Sequence, residues 1–362
     1  MKMMRPQVRR IAGLRHVMKG KGIGALLVTK QENVHYLTGF TGSAGVVLVA
    51  PGGTCLVTDF RYQLQAKRET AGIPVLIQKK DLASALSEAA LRRRAGTIWF
   101  DESSLTVDGL KKLRKQGLKL KGCADLVGGL RLYKDTGELA RIRKAVLRAE
   151  ESFQELAASI RPGVSERELG LRLECLMRER GASKAAFDTI VASGGNGAMP
   201  HAATTDRRIR KGDLVTFDFG AEADGYYSDI TRTVCMGRPT LRQRAIHDLV
   251  FAAQQAALSM VRPGVSGRAV DQAAREVIEK AGYAKQFGHG TGHGVGLMVH
   301  EGPSVSRLSK DNLAEGMVFT IEPGVYLPGW GGVRIEDMVL VTGRGAKVLT
   351  TIPRELEYLN SL

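Results

Sequence analysis

Short apolar runs and amphipathic segments alternate along the first part of the chain. Apolar runs bounded by glycine or proline predict buried strands, and apolar residues at helical spacing predict helices. The predicted elements are strands over 24–29 and 97–101, a hairpin over 45–59 turning at Pro51-Gly52-Gly53, and helices over 81–94 and 106–117. Strands and helices in this alternation indicate a mixed α/β domain.

A long charged amphipathic segment over 128–160, "GGLRLYKDTGELARIRKAVLRAEESFQELAASI", predicts a helix that opens a second domain. A chain of 362 residues is also long enough for two domains at roughly 100–200 residues each. We therefore predict an N-terminal domain over 1–132 and a C-terminal domain over 133–362.

The second domain contains an internal repeat. "IRPGVSERELG" begins at Ile160 and "VRPGVSGRAVD" begins at Val261, and each copy places Arg-Pro-Gly between two predicted helices. Ser165 and Glu168 form a capping box for the helix that follows, and Ser266 is placed to cap its counterpart. The repeat predicts a duplicated α+β half with pseudo-twofold symmetry and a cleft between the halves.

Charge is unevenly distributed along the chain. The net charge is +16, and residues 1–150 hold 28 basic and 12 acidic residues while the remainder holds 25 of each. A basic domain of this kind can bind nucleic acid or an acidic partner, or it can be a solubilising surface. We favour the solubilising surface and expect no nucleic-acid partner, because no aromatic-interleaved basic motif accompanies the charge.

The remaining composition is typical of a globular cytoplasmic protein. The chain is 43% hydrophobic and 25% charged, and no apolar run approaches the ~18 residues of a membrane helix. The N-terminus is basic, but Arg15 and Lys19 interrupt any apolar region there, so it does not resemble a signal peptide. The four cysteines form no CxxC pair and predict reduced thiols in the cytoplasm.

The segment 213–234 predicts a hairpin that turns at Asp224-Gly225, a dipeptide suited to a type I′ turn. With a two-residue loop, Asp218 faces Thr231, and Asp229 lies diagonally on the same face as Asp218, roughly 7–8 Å away at the backbone. The two carboxylates could meet over a cation. A buried salt bridge from Asp218 to Arg232 or another arginine is the structural alternative.

A second hairpin is predicted around "PGWGG" at 328–332, with Glu322 and Glu336 among strand-forming apolar residues. The segment 288–303, "GHGTGHGVGLMVHEGP", adds histidines between the two hairpins. Four buried carboxylates and at least one imidazole suit two divalent cations, with Mn²⁺, Co²⁺ or Fe²⁺ favoured over thiolate-type zinc. Two such ions can activate a shared water, so hydrolysis is the expected chemistry.

These motifs together resemble the pita-bread metallopeptidases, and within them the proline-specific branch of aminopeptidase P and prolidase. The matching stretches lie around the two hairpins and the histidine segment, and "NVHYLTGFTGSAG" and "TDFRYQLQA" are similar to the N-terminal domain of that branch. The resemblance implies an α/β creatinase-like domain followed by an α+β pita-bread catalytic domain with an internal pseudo-twofold duplication. It also implies a homodimer.

The resemblance implies a role for each candidate site residue. The metal ligands would be Asp218, Asp229, His293, Glu322 and Glu336, with Glu322 also acting as the proton shuttle. The ions would be Mn²⁺ first, with Co²⁺, Fe²⁺ or Zn²⁺ as alternatives.

Four further residues would act on the substrate or on the ligands. His300 would hydrogen-bond the scissile carbonyl and His201 would assist from the opposite wall. His289 would contact the substrate near its proline, and Arg334 would orient the N-terminal domain or the metal ligands.

The implied substrates are peptides with proline at the second position. Microbial prolidases similar to this chain commonly carry an arginine where Ser304 stands, and this departure favours an Xaa-Pro aminopeptidase over the alternative, an Xaa-Pro dipeptidase. A third alternative is a non-catalytic pita-bread protein that binds partners through the basic N-terminal domain. Retention of all five ligands argues against it.

Overall fold

The computed structural model describes residues 5–70 and 72–357. The chain divides into two compact units, Met1–Arg131 and Leu132–Leu362. Among the described residues, no helix is both long and apolar enough to span a bilayer.

The first unit is a single six-stranded sheet with helices. Its strands are β1 (Ala25–Val28), β2 (Gly45–Ala50), β3 (Gly53–Thr58), β4 (Val75–Ile77), β5 (Ile98–Asp101) and β6 (Leu120–Cys123). Its helices are α1 (Pro6–Gly20), α2 (Gln31–Thr38), α3 (Gln63–Glu69), α4 (Leu82–Arg92), α5 (Val107–Lys115) and α6 (Leu126–Arg131), with a 3-10 turn at Phe60–Tyr62.

The sheet has the order β4-β3-β2-β1-β5-β6, antiparallel between β1, β2 and β3 and parallel at both flanks. The predicted elements of this unit are all present. The hairpin loop is shorter than predicted, because Gly53 already pairs with Ala50 and leaves only Pro51 and Gly52 unpaired.

The second unit consists of two helix pairs, each followed by strands. Its helices are α7 (Thr136–Ala157), α8 (Glu166–Glu179), α9 (Leu241–Met260) and α10 (Gly267–Lys280), with 3-10 turns at Gly194–Ala198 and Ala284–Gln286. Its strands are β7 (Lys184–Ala185), β8 (Ile190–Ser193), β9 (Leu214–Phe219), β10 (Ala221–Ala223), β11 (Tyr226–Tyr227), β12 (Ile230–Cys235), β13 (Gly292–Gly294), β14 (Glu301–Val305), β15 (Val318–Ile321), β16 (Gly324–Leu327), β17 (Gly331–Arg334), β18 (Asp337–Thr342) and β19 (Gly345–Val348).

The predicted duplication is visible in repeated backbone contacts. Strands β12-β9-β8 form a sheet in the first half, and β14-β13-β15-β18-β19 form a sheet in the second. In the first half the Gly163 amide donates to the Ile209 carbonyl at 2.8 Å, and in the second half Gly264 donates to Leu313 at 2.8 Å. Each contact lies at the Arg-Pro-Gly turn, so the two repeats have the same local structure.

Helix capping agrees with the repeat as well. Ser165 and Glu168 form the predicted capping box at the start of α8. Ser266 accepts a hydrogen bond from the Ala269 amide and caps α10. Each cap satisfies backbone N–H groups that the first helical turn leaves without a partner.

Candidate metal centre

The first acidic hairpin has the predicted register. Ala223 pairs with Tyr226, and Thr231 pairs with Asp218, as a two-residue loop requires. Asp224 and Gly225 both have positive φ angles, 52° and 81°, which a type I′ turn needs at its two central positions. Asp218 on β9 and Asp229, just before β12, are therefore brought to the same face.

The second acidic hairpin is interrupted at its two glutamates. Strands β15 and β18 pair on one side of the break and β16 and β17 on the other, in one continuous register that places Glu322 opposite Glu336. The backbone N–H groups of Glu322 and Glu336 both donate to carbonyls outside this hairpin. The Glu322 amide donates to the Thr291 carbonyl at 2.8 Å, and the Glu336 amide donates to the Thr231 carbonyl at 3.1 Å. These bonds attach each acid to a neighbouring segment and turn both toward one centre.

The predicted ligands converge at this centre. Ligand atoms of Asp229, His293 and Glu336 all lie within 4.8 Å of one another. The His293 Nε2 atom lies 3.6 Å from an Asp229 oxygen and 3.3 Å from a Glu322 oxygen. One Asp218 oxygen, Oδ1, is buried with no hydrogen-bond partner in the described part of the chain.

The donor chemistry of the cluster fits a cation. The His293 Nδ1 atom lies 3.2 Å from the Gly294 carbonyl, which can only accept, so Nδ1 carries the proton and Nε2 presents a lone pair. That lone pair faces carboxylate oxygens of Asp229 and Glu322, which in their ionised form are also acceptors. A divalent ion satisfies converging acceptors of this kind, and it would also engage the free oxygen of Asp218.

Burial of Asp229, Glu322 and Glu336 in one cluster raises their pKa values. Burial first, and the neighbouring carboxylates second, raise the pKa of Asp229 and of Glu336 well above their usual values. Burial raises the pKa of Glu322 to about 7 and lowers the pKa of His293. Without a cation the charged form of the cluster is therefore unfavourable, and a bound cation would reverse this cost.

The metal-free protein should lose stability as pH rises from about 6.5 through about 7, the folded pKa of Glu322. Asp229, Glu322 and Glu336 have folded pKa values raised by burial, so their contribution is present below the unfolded values near 4 and is lost as pH rises through the folded ones. The buried histidines have lowered pKa values and act in the opposite sense, but only below about pH 6.5, where unfolded histidine titrates.

The measurement is the melting temperature of chelated and metal-loaded protein over this pH range. We expect a fall in the chelated sample and a smaller or no fall in the loaded one. Parallel profiles in the two samples would contradict the assignment of the cluster as a cation site.

The arginine that neutralises Asp218 is Arg334 and not Arg232. The Arg334 Nη2 atom donates to Asp218 at 2.6 Å, whereas Arg232 pairs with Asp337 at 2.8 Å. The alternative of a salt bridge from Asp218 to Arg232 or another arginine therefore holds for another arginine, Arg334, and is wrong for Arg232. The ion pair with Arg334 leaves one Asp218 oxygen free for a metal.

Arg334 also reaches Tyr326, a residue that the sequence reasoning missed. The Arg334 Nη1 atom donates to the Tyr326 hydroxyl at 3.0 Å, and that hydroxyl lies 2.8 Å from His289 Nε2. Tyr326 lies four residues after Glu322 in the same hairpin, and this proximity to an acid was the available signal. Burial raises the pKa of Tyr326 to about 12, so its hydroxyl keeps its proton.

His289 uses both ring nitrogens inside the protein. Its Nδ1 lies 2.8 Å from the Gly290 carbonyl and must carry the proton, so Nε2 accepts from the Tyr326 hydroxyl. Burial lowers the pKa of His289 to about 4, which keeps the ring neutral. The ring faces the cavity but offers no nitrogen to a ligand while these two bonds remain.

The predicted site residues surround one cavity of about 560 Å³. This volume falls within the ~300–1,000 Å³ typical of small-molecule sites. The His300 ring lies 4.2 Å from that of His293, and burial lowers its pKa. His201, His289, Ser304 and Arg334 also line the cavity, together with Asp218, Asp229, His293, Glu322 and Glu336.

The fold and the site together define a metallopeptidase. The chain belongs to the metallopeptidase family M24, whose family model matches residues 140–343. The model of the creatinase/prolidase N-terminal domain matches residues 10–133. The predicted fold, a creatinase-like domain followed by a pita-bread catalytic domain, is confirmed.

Relatives within this family include peptidases of Xaa-Pro bonds. The Xaa-Pro dipeptidase of Pyrococcus horikoshii is 39% identical over 343 residues, which cover 94% of this chain and 96% of the relative. The solved structure of an Xaa-Pro dipeptidase from Bacillus anthracis is similar with a TM-score of 0.94 at 37% identity, covering 97% of this chain and 99% of that chain. An X-Pro aminopeptidase from Thermotoga maritima is similar with a TM-score of 0.88 at 38% identity, covering 95% and 99%.

Proposed function

We propose that the protein is an Xaa-Pro dipeptidase that hydrolyses dipeptides ending in proline. The observation that carries this proposal is the convergence of four acids and His293 in one cavity, on a fold shared over 94–97% of this chain with named Xaa-Pro dipeptidases. These relatives favour the dipeptidase alternative over the aminopeptidase preferred from Ser304. The peptide bond before proline has no N–H, so the site must hold its substrate through other groups.

The ligand set supports two divalent ions, with Mn²⁺ as the first candidate because oxygen donors dominate. Asp218, Asp229, His293, Glu322 and Glu336 would hold them. When bound, the ions would activate a water and polarise the scissile carbonyl.

Two residues support the proposed reaction through proton and hydrogen-bond chemistry. Glu322 lines the cavity within the acid cluster, where its carboxylate can accept a proton from the attacking water and return it to the leaving imide nitrogen. His300 lies beside His293 at the cavity wall, where a protonated ring nitrogen can donate to the oxygen that gains charge.

His201 and His289 have different proposed roles. The His201 ring lines the cavity and makes no hydrogen bond to the described residues, so its nitrogens are available to a substrate. His289 would contact the substrate through its ring carbons, because both nitrogens are occupied. Its neutral ring packs edge-on against Phe287, with 5.2 Å between centroids, and forms a flat wall against which a pyrrolidine ring can pack.

An Xaa-Pro aminopeptidase remains the second candidate, and Ser304 is the observation that favours it. Arg334 is the only arginine or lysine among the described residues that line the cavity, and it is already bonded to Asp218 and Tyr326. The Ser304 hydroxyl lies 3.1 Å from that of Ser306 at the exposed edge of the cavity. Among the described residues that line the cavity, no arginine or lysine is therefore left without a partner to bind the carboxylate of a dipeptide.

The two candidates differ in the peptides they cleave. Ala-Pro and Arg-Pro-Pro should be assayed with Mn²⁺, before and after chelation. We expect release of proline from Ala-Pro, loss of that activity on chelation and its return with Mn²⁺. Release of arginine from Arg-Pro-Pro without cleavage of Ala-Pro would establish the aminopeptidase instead, and activity on neither would refute both.

Placing an arginine at Ser304 should strengthen dipeptide binding. A charged donor at the cavity edge can pair with the substrate carboxylate, and a hydrogen bond to a charged group contributes about 1.5–3 kcal/mol. We expect S304R to lower KM for Ala-Pro by about tenfold, since about 1.4 kcal/mol corresponds to a tenfold change in affinity. S304Q, which is long but uncharged, is the matched control. Equal KM values in S304R and S304Q would contradict this prediction.

A further inference from the structure

His201 stands on a segment whose position depends on contacts elsewhere in the chain. The segment 193–205 leaves β8, passes through the 3-10 turn at Gly194–Ala198 and carries His201 at the cavity wall. The His201 side chain makes no hydrogen bond to the described residues. Its location is therefore set by the backbone on either side of it.

Glu166 holds both ends of this segment. Its side chain is fully buried at the start of α8. Oε1 accepts from the Ser193 amide at 2.7 Å and from the Ser193 hydroxyl at 2.7 Å. Oε2 accepts from the Thr205 amide at 3.1 Å and from the Thr205 hydroxyl at 2.5 Å. The Asn196 side-chain amide bonds both oxygens at 3.1 Å, so the carboxylate closes the segment into a loop.

The middle of the loop is held from the opposite side by β17. Gly197 and Gly332 pack so closely that a Cβ atom on Gly332 would lie 2.1 Å from the Gly197 carbonyl oxygen. The Pro200 carbonyl, directly before His201, accepts from Arg334 Nη1 at 3.1 Å. Glu166 and β17 therefore hold the loop from two sides. Strand β17 also carries Arg334, the ion-pair partner of Asp218.

The second half of the domain uses an acid in the same way. Asp271 on α10 is fully buried and accepts from the Thr291 amide at 3.1 Å and the Thr291 hydroxyl at 2.8 Å. It also pairs with Arg275, which donates to the His289 carbonyl at 2.8 Å. In each half, a buried acid near the start of the helix after the Arg-Pro-Gly turn anchors a loop that carries cavity histidines.

We infer that Glu166 is a positioning residue that acts through His201. This inference rests on the proposed function, because His201 is assayed by Xaa-Pro hydrolysis. Every polar contact of the Glu166 carboxylate comes from a donor, and a glutamine would turn an NH₂ group toward one of them. The E166Q loop should therefore move from its place while the metal ligands, which lie on other elements, keep theirs.

The test is a double-mutant cycle between Glu166 and His201. We expect E166Q and H201A each to lower kcat by about 10–100-fold, the range typical of supporting groups in metal sites, with unchanged metal content. The double variant should be no slower than H201A alone, because residues that act through one another are not additive. Multiplied effects would refute the inference.

Glu150 supplies the matched control. Its carboxylate is also buried and also accepts from backbone amides, those of Thr351 and Ile352, but it anchors a segment that does not line the cavity. E150Q should leave kcat near that of the parent, and any effect it has should multiply with that of H201A. Non-additivity of E150Q with H201A would show a general loss of folding and would overturn the assignment.

A second variant and a readout independent of catalysis complete the test. T205V removes one hydroxyl donor and should show the same coupling to H201A at smaller amplitude, even if E166Q folds poorly. The rate at which diethyl pyrocarbonate modifies His201, mapped by mass spectrometry, should change in E166Q and not in E150Q. If wild-type protein cleaves no Xaa-Pro peptide, the proposed function fails, and this rate alone then supports or refutes the inference.

Discussion

Replacing Asp229 by asparagine should abolish hydrolysis and stabilise the metal-free protein. Asp229 is 5% exposed, and burial together with Glu336, Asp218 and Glu322 raises its pKa well above the usual value. A neutral amide removes that cost, so the free energy of unfolding in chelator should rise by roughly 0.5–2 kcal/mol, the range of single stabilising substitutions. Activity should fall by at least about a thousandfold, more than the ~10–100-fold lost with a supporting residue.

Asp337 is the matched control for this substitution, because arginines surround its carboxylate whereas acids surround that of Asp229. Although burial opposes it, pairing with Arg232 and Arg354 lowers the pKa of Asp337. D337N should destabilise the metal-free protein by about 3–5 kcal/mol, the cost of breaking a buried ion pair. Chemical denaturation in chelator and metal analysis after dialysis against Mn²⁺ measure both variants. If D229N keeps its metal, or is less stable than the parent without metal, the proposed cation site is wrong.

Replacing Arg334 by methionine should destabilise the protein, and more strongly without metal than with it. Arg334 is 4% exposed and donates to Asp218, Tyr326, the Pro200 carbonyl and the Thr231 hydroxyl. Its positive charge lies beside the acid cluster and lowers the pKa values that burial raises. Loss of a buried partner costs about 3–5 kcal/mol, and a bound metal would supply part of the missing positive charge.

A substitution at Arg232 is the control that distinguishes this electrostatic effect from simple loss of packing. It is also buried, and it donates to Asp337 and to backbone carbonyls. R232M should therefore cost a similar amount with and without metal. The free energies of unfolding of R334M and R232M, each measured with Mn²⁺ and with chelator, test the difference. An equal loss for R334M in both conditions would show that Arg334 does not balance the acid cluster.

Much of the fold was predictable because local rules specify it. The alternation of strands and helices predicted the first unit, and the Arg-Pro-Gly repeat with its serine caps predicted the duplication. The Asp224-Gly225 turn determined the register of the first acidic hairpin, since a two-residue loop leaves one pairing. That register alone placed Asp218 and Asp229 on the same face, and the structure has it.

The partners of the buried charges could not be predicted from local pattern. Arg232 lies one residue from the strand partner of Asp218 and was the nearest candidate in the sequence, but it pairs with Asp337, and Asp218 pairs with Arg334. Side chains of adjacent strand residues point to opposite faces, so the closest arginine in sequence faces away. Which arginine faces Asp218 depends on how the two hairpins meet.

Specific roles within the histidine segment also depended on the tertiary structure. The sequence identified His289, His293 and His300 as a group, but only packing shows that Tyr326 occupies the second nitrogen of His289. The role of Glu166, which lies beside the capping residue Ser165, could not be predicted, because nothing local shows that its carboxylate reaches 27 residues ahead to Ser193.

Turn chemistry and residue periodicity act over a few residues, and these local rules were sufficient to predict the two domains, the duplication, the acidic hairpins and the candidate ligands. Three features depend instead on how distant segments pack: which acid pairs with which arginine, which histidine nitrogens remain free, and which buried carboxylate holds the His201 loop. These contacts join segments that lie tens to a hundred residues apart. The pairs of Asp218 with Arg334 and of Arg232 with Asp337 join the two halves of the domain, whereas the contacts of Glu166 and His289 form within one half, and no local pattern encodes either kind.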